Sequence, residues 1–233
     1  MKNIFISGEK INLCVPAEED FDRWASWFNS QEITQFLEQG KYPNTPEQQR
    51  VFYEQALASG RFISLVKSKA GGLLGVVSLS DINYEKSWCQ IALVCPEFCS
   101  KAILAPLEAM AICTQHAFER FGLHQVWAGQ AYPGLNLWIQ RLELLGYKTD
   151  GVIPNGFRHG MTVSDAVRTS VTKDRFVQLM ERRGGNLWPG ETKVKRLLSS
   201  LKSETPLAHR VDNAIKALHH EHDEMLAEIE KHA

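Results

Sequence analysis

The sequence predicts a mixed α/β or α+β layer fold, and three observations predict it. Short apolar segments of strand length alternate with amphipathic segments of helix length up to about Phe176. Two strand-like segments, Arg61 to Lys67 and Gly75 to Leu79, flank Lys69-Ala70-Gly71-Gly72, a turn sequence that predicts a hairpin. One long segment, Leu104 to Phe121, places Leu107, Met110, Ala111, Thr114, Phe118 and Phe121 at helical spacing. Segments of both kinds around a central hairpin indicate helices layered on a sheet.

The elements follow in order. Glu9 to Val15 is apolar with weak alternation and predicts a short strand. Pro16 and the acids Glu18, Glu19 and Asp20 open a helix through Trp24, Trp27 and Phe28, since acids suit the positive end of a helix dipole. Gly40 and Pro43 break the pattern. Thr45-Pro46-Glu47-Gln48 supplies a capping threonine, a proline at the first helical position and a glutamine three residues after the cap. That helix runs to about Ala58. After the hairpin, Ser87 to Val94 is a strand ended by Pro96. Gly122 closes the long helix. Leu123 to Ala128 is a strand, and Asn136 to Leu145 is a helix stopped by Gly146. Tyr147 to Ile153 and Met161 to Val171 are strands around a turn of Pro154, Asn155, Gly156 and Gly160.

Beyond Phe176 the pattern changes. Gly184-Gly185 and Pro189-Gly190 read as a linker. From Ala208, the positions Val211, Ile215, Leu218, His222, Met225 and Ile229 follow 3-4 spacing, an amphipathic or coiled-coil stripe. The expected organisation is a domain over 1–180, then a linker and C-terminal helical tail over 181–233 that packs on the domain or pairs with a second copy as a homodimer.

Composition excludes several classes. The chain has 233 residues, 44% hydrophobic and 23% charged, which suits a globular core. Lys+Arg 26 against Asp+Glu 27 leaves a net charge of −1, so no basic field points to nucleic acid or an anionic membrane. No apolar run has the length of a membrane span, and Met1 to Lys10 holds no signal-peptide core. Five scattered cysteines read as reduced thiols, which predicts a cytoplasmic protein. Cys95 and Cys99 lack a second ligand pair, and His219, His220, His222 and Asp223 read as a solvated helix face, so no metal is expected.

Three stretches resemble the GNAT superfamily of N-acyltransferases, nearest its branch acting on ribosomal-protein N-termini and on amino sugars of nucleotides. His116-Ala117-Phe118-Glu119-Arg120-Phe121-Gly122-Leu123-His124 resembles the end of that family's central helix and the start of its fifth strand. Leu142-Glu143-Leu144-Leu145-Gly146-Tyr147-Lys148-Thr149-Asp150-Gly151 resembles its "LEKLGFK-EG" segment. Gly160, Asp165 and Ser170 to Phe176 resemble its closing strand pair. The resemblance covers roughly residues 8–180. It implies a mixed, mostly antiparallel central sheet flanked by helices. It also implies acetyl transfer from acetyl-CoA to a primary amine of a small molecule, an amino sugar or a protein N-terminus.

The resemblance also implies site residues. In the family, acyl-CoA lies where the fourth and fifth strands splay, with its pyrophosphate on the N-terminus of the central helix. The matching positions here are Lys101, Leu104, Ala105 and Pro106, with backbone donors near Leu93 and Val94 and a further contact at Asn136. Leu104 and Pro106 stand where the family has small residues, and proline carries no N–H. Leu142 replaces the family's tyrosine acid, and Gln90 replaces its fourth-strand acid. Candidates for the vacated roles are Asp81 (or Glu85) as base, Tyr132 as proton donor to the thiolate and Asp165 as a group orienting the acceptor. His116 reads as a packed helix histidine and His159 as a turn histidine. Trp24, Trp27 and Phe28 read as core. The departures leave two other readings: a GNAT-fold binding module without turnover, or an acyltransferase with a carrier-protein-linked donor.

Overall fold

The chain is described by a computed structural model over residues 3–37, 40–96 and 103–201, with residues 213, 216, 217, 220, 224, 225, 228, 229 and 231 beyond them. Eight strands form one sheet: β1 (Ile4–Ser7), β2 (Ile11–Cys14), β3 (Phe62–Ser68), β4 (Leu73–Asn83), β5 (Trp88–Val94), β6 (Gln125–Tyr132), β7 (Lys148–His159) and β8 (Thr162–Thr172). Their order is β1-β2-β3-β4-β5-β6-β8-β7. Each neighbouring pair is antiparallel except β5–β6, which is parallel. The sheet is thus the mixed, mostly antiparallel one expected. A parallel pair requires a crossover, and α4 (Leu104–Glu119) supplies it.

The two faces are covered differently. On one, α4 buries Leu107, Met110, Ala111, Cys113 and Phe118 against β2 to β6. On the other, α1 (Phe21–Phe28) and α3 (Pro46–Ala58) cover β3 and β4, with Phe21, Trp24 and Trp27 packed on Ile63, Leu65, Leu73 and Val76. The predicted cap of α3 forms: Thr45 Oγ1 accepts from Gln48 N–H at 3.2 Å, and Thr45 N–H donates to Gln48 Oε1 at 2.9 Å. Alternation along β4 sends Val77 and Leu79 to the α4 face and Val76 and Ser78 to the α1–α3 face.

Four elements go beyond the sequence reading: β1, α2 (Gln31–Thr34), α6 (Lys173–Arg182) and α7 (Glu191–Ser200). The stretch read as a linker belongs to the main core. Leu187 is 0%, Trp188 5% and Val194 2% exposed, in one cluster with α4. Gly184, Gly185 and Gly190 take φ of 72°, 87° and 93°, which bends the chain onto the domain where L side chains are strained. Trp188 Nε1–H donates to Glu9 Oε2 at 2.8 Å, and Leu187 N–H donates to Gln115 Oε1 at 3.0 Å. Core burial therefore crosses the boundary expected at 180. In the tail, Val211, Ile215, Leu218, His219, His222 and Asp223 lie outside the described residues, as does Cys99. Met225 and Ile229 are exposed on helical backbone. No helix among the described residues is long and apolar enough to cross a membrane.

His116 lies near the C-terminal end of α4, its ring 5.4 Å from Phe5, 5.1 Å from Phe62 and 5.2 Å from Phe121 between centroids. Burial first, and Arg120 second, lower its pKa from 6.5 against an opposing pull from Glu119. The folded chain therefore binds fewer protons here than the unfolded chain. Stability from this site is present above pH 6.5 and is lost as pH falls through the folded value. The expected result is a thermal midpoint that drops between about pH 7.5 and about pH 5.5, with a smaller drop in His116→Phe. Equal drops in the two proteins contradict the assignment.

Candidate functional site

β5 and β6 pair at only three positions: Trp88 with Gln125, Cys89 with Val126 and Gln90 with Trp127. β5 then stays on β4 as far as Val94, opposite Val76. β6 stays on β8 as far as Tyr132, opposite Asp165. The two strands part after Gln90 and Trp127, leaving a wedge between Ile91–Val94 and Ala128–Tyr132. Gly75 holds the β5 end on β4, since a Cβ there would lie 2.6 Å from the Val94 carbonyl oxygen. In an extended strand a residue's N–H and C=O point to one side and alternate along the chain. Every second residue of Ile91–Val94 therefore turns both groups into the wedge.

The crossover places the N-terminus of α4 at the wedge's open end. Among the described residues no side chain caps it, and its first internal bond is Leu107 N–H to Ile103 O at 3.3 Å. Among the described residues the N–H groups of Leu104 and Ala105 have no hydrogen-bond partner, while Pro106 carries no N–H. Lys101, in the segment leading to α4, lies outside the described residues. On the β6 side, Gln130 and Asn136 are buried, with Gln130 Oε1 and Asn136 Oδ1 lacking a partner among the described residues. Asn136 opens α5 (Asn136–Leu142), directly after β6.

On the face away from α4, β5 also borders a cavity of about 470 Å³. Its floor is Ile63, Val76, Ser78, Ala92, Leu93 and Val94, and α1 and α3 supply Trp24, Phe28, Gln49 and Phe52. The loop before α3 forms its rim. Asn44 fixes that loop: its N–H donates to Asn29 Oδ1, its carbonyl accepts from Asn29 Nδ2, and its Nδ2 donates to Gln49 Oε1, all at 2.7 Å. The loop also reaches across the sheet, where the Leu37 carbonyl meets His159 Nδ1 at 3.1 Å. Arg61 enters the cavity wall from the residue just before β3. Its Nη2 donates to Ser78 Oγ at 2.9 Å, and its guanidinium lies 5.7 Å from the Phe52 ring centroid. Burial pushes its pKa down against an opposing pull from Asp81.

The candidate residues fall into separate groups. Leu93 and Val94 line the cavity and border the wedge. Leu104, Ala105 and Pro106 form the first turn of α4. Asp81 is exposed at φ 50° in the β4 bulge between Ser80 and Asn83, and is not part of the described cavity lining. Glu85 is exposed in the turn that follows. Tyr132 is buried against Ile139 and Val167. Asp165 Oδ1 accepts from Asn155 N–H at 2.9 Å, in the stretch where β7 shifts register between Ile153 and Phe157. That carboxylate thus holds the β7 backbone. Trp24 and Phe28 line the cavity while also packing in the core. Arg61, Gln49 and Gln130 escaped the sequence reading. Gln130 carried one signal, a polar residue inside an apolar strand; Gln49, between Gln48 and Arg50, and Arg61, after Gly60, carried none.

Comparison with known proteins bears on the same region. The family model described as the acetyltransferase (GNAT) domain matches residues 10–131. No curated protein matches the chain in sequence. Among solved structures, the spermidine N-acetyltransferase from Vibrio cholerae in complex with CoA and spermine superposes with a TM-score of 0.65 at 16% identity, covering 73% of this chain and 99% of that one. Mutant forms of the spermidine/spermine N-acetyltransferase from the same organism give 0.62 at 16%, covering 73% and 98%. A protein described as a probable acetyltransferase gives 0.62 at 20%, covering 72% and 95%. At these identities the likeness is one of fold.

Proposed function

The chain belongs to the GNAT acetyltransferase family, and from that premise we propose that it transfers an acetyl group from acetyl-CoA to the primary amine of a small molecule or peptide. The observation that carries the reading is the wedge between β5 and β6, which meets the N-terminus of α4 at its open end and the cavity beside β5. When bound, acetyl-CoA supplies a thioester carbonyl open to attack by a neutral amine. The N–H groups of Leu104 and Ala105, with the helix dipole, suit its pyrophosphate, and Lys101 adds charge nearby in sequence. The alternating backbone of Ile91–Val94 offers sheet-like partners to the two pantetheine amides. Gln130 Oε1 and Asn136 Oδ1 are buried acceptors that such amide N–H groups would satisfy. A backbone N–H near Leu93 and Val94 would face the negative charge growing on the carbonyl oxygen. The described cavity wall holds neither carboxylate nor histidine, so we assign the amine's proton to water.

The test is release of free thiol from acetyl-CoA over a panel of primary amines. Turnover with any amine supports the reading. Absence of turnover across the panel, with no binding of CoA, replaces it with a non-catalytic binding module. Pro106 gives a second prediction. Pro106→Ala adds an N–H beside those of Leu104 and Ala105, and one further bond to a charged group is worth about tenfold or more in affinity. Titration with CoA is expected to show that tightening; unchanged or weaker binding means the pyrophosphate lies elsewhere.

A further inference from the structure

We infer that the cavity selects an amine that also carries an anionic oxygen group, a carboxylate or a phosphate, on an apolar body. The inference rests on the reading of the wedge as the acetyl-transfer site and names the substrate class of the adjoining cavity.

The cavity wall has an unbalanced hydrogen-bonding inventory. Three of its residues hold buried side-chain atoms without a partner among the described residues: Trp24 Nε1, Gln49 Nε2 and Arg61 Nε. All three are donors. Trp24 is 1% and Gln49 2% exposed, so these are interior groups. Gln49 Oε1 is already used by Asn44, which leaves its N–H₂ as the free end. An unpaired buried polar group costs on the order of 1–3 kcal/mol; these three atoms lie behind the cavity surface, and among the described residues every unpaired buried side-chain atom of the lining is a donor.

Charge points the same way. The charged residues of the described lining are Lys41 and Arg61, and no carboxylate is among them. Arg61 makes no ion pair among the described residues. Its partners are a neutral hydroxyl and an aromatic face, with Asp81 acting on it from outside the lining. A half-buried guanidinium stays charged at neutral pH and presents a planar fork suited to carboxylate or phosphate. The remaining wall, with Phe28, Phe52, Ile63 and Val76, takes an apolar body. A polycation such as a polyamine finds like charge there instead of carboxylates.

Register sets a length. Arg61 is tied to Ser78 on β4, Ser78 is opposite Ala92 on β5, and the wedge opens on the far side of β5. An anion at Arg61 and an amine at the wedge are therefore one to two strand spacings apart, ~5–10 Å. That exceeds the separation within a free α-amino acid. A short apolar peptide with a free carboxyl group fits, and so does an amino-sugar phosphate.

The test reads binding apart from turnover. The dipeptide Ala-Phe is titrated as free acid and as C-terminal amide, and glucosamine 1-phosphate is titrated against glucosamine, with spermidine as the polycation. The expected result is at least tenfold tighter binding of one anionic member over its neutral counterpart, and no preference for spermidine. The two pairs distinguish carboxylate from phosphate. Arg61→Gln is expected to erase the preference and Arg61→Lys to retain part of it, with thermal midpoints confirming that both variants fold. Equal binding of anionic and neutral forms, no binding of either pair, or tighter binding of spermidine overturns the inference. Tighter spermidine binding would direct attention to Glu38, which adjoins Leu37 in sequence and lies outside the described residues. Failure of the acetyl-transfer reading is separate: it shows as loss of acetyl-CoA binding, whichever amine the cavity holds.

Discussion

Ala92→Trp is expected to lower kcat/KM for the amine acceptor by about 10²-fold while leaving the thermal midpoint close to the parent value. Ala92 lies on β5 past its last pair with β6, opposite Ser78, in the floor of the cavity. An indole at that position fills space next to the point where wedge and cavity meet. The amine can then no longer be held against the carbonyl, and misplacement by about 1 Å is enough for a loss of that size. Binding of CoA, which the proposed site places at α4 and the other side of β5, should fall much less than turnover. Parallel measurement of CoA affinity and steady-state rate checks the split. Full activity in Ala92→Trp would place the acceptor elsewhere.

The second large effect concerns stability. Trp188→Ala is expected to cost about 4 kcal/mol, which for a chain of this size is a fall of roughly 10 °C in midpoint. Trp188 is 5% exposed, shares a core cluster with α4, and donates to Glu9. Glu9 Oε2 also accepts from Glu191 N–H at 2.9 Å, so one carboxylate joins the turn before β2 to the start of α7. Lys10 and Lys195 hold the Glu191 carboxyl at about 2, keeping it ionised at neutral pH. Thermal unfolding of Trp188→Ala decides whether residues past 180 stabilise the domain. A midpoint within about 2 °C of the parent means they do not.

These two sites mark where the sequence was and was not legible. The strands flanking Gly71-Gly72, the Thr45 cap and the long helix follow from local patterns, because each writes its partner face into its own residues. β1 escaped because three of its four residues are exposed, leaving no buried face to produce alternation. α2 is a single turn. Gly184-Gly185 and Pro189-Gly190 look alike whether they free a linker or bend a chain onto a core; only the contacts of Leu187 and Trp188 separate the two. The wedge was hidden for a related reason. It consists of pairs that do not form between β5 and β6, and no residue in either strand announces a missing partner. The family resemblance supplied it as an expectation, together with Leu93, Val94 and the first turn of α4. The cavity draws on α1, α3, the rim loop and three strands, so Arg61 and Gln49 meet only after folding.

The central claim is that the wedge holds an acyl-CoA despite Leu104 and Pro106 in the first turn of α4. Calorimetric titration of the purified chain with acetyl-CoA, alongside free CoA, tests it most directly. Saturable binding in the micromolar range is the predicted result. Absence of binding at millimolar ligand, with the chain shown to be folded, contradicts it.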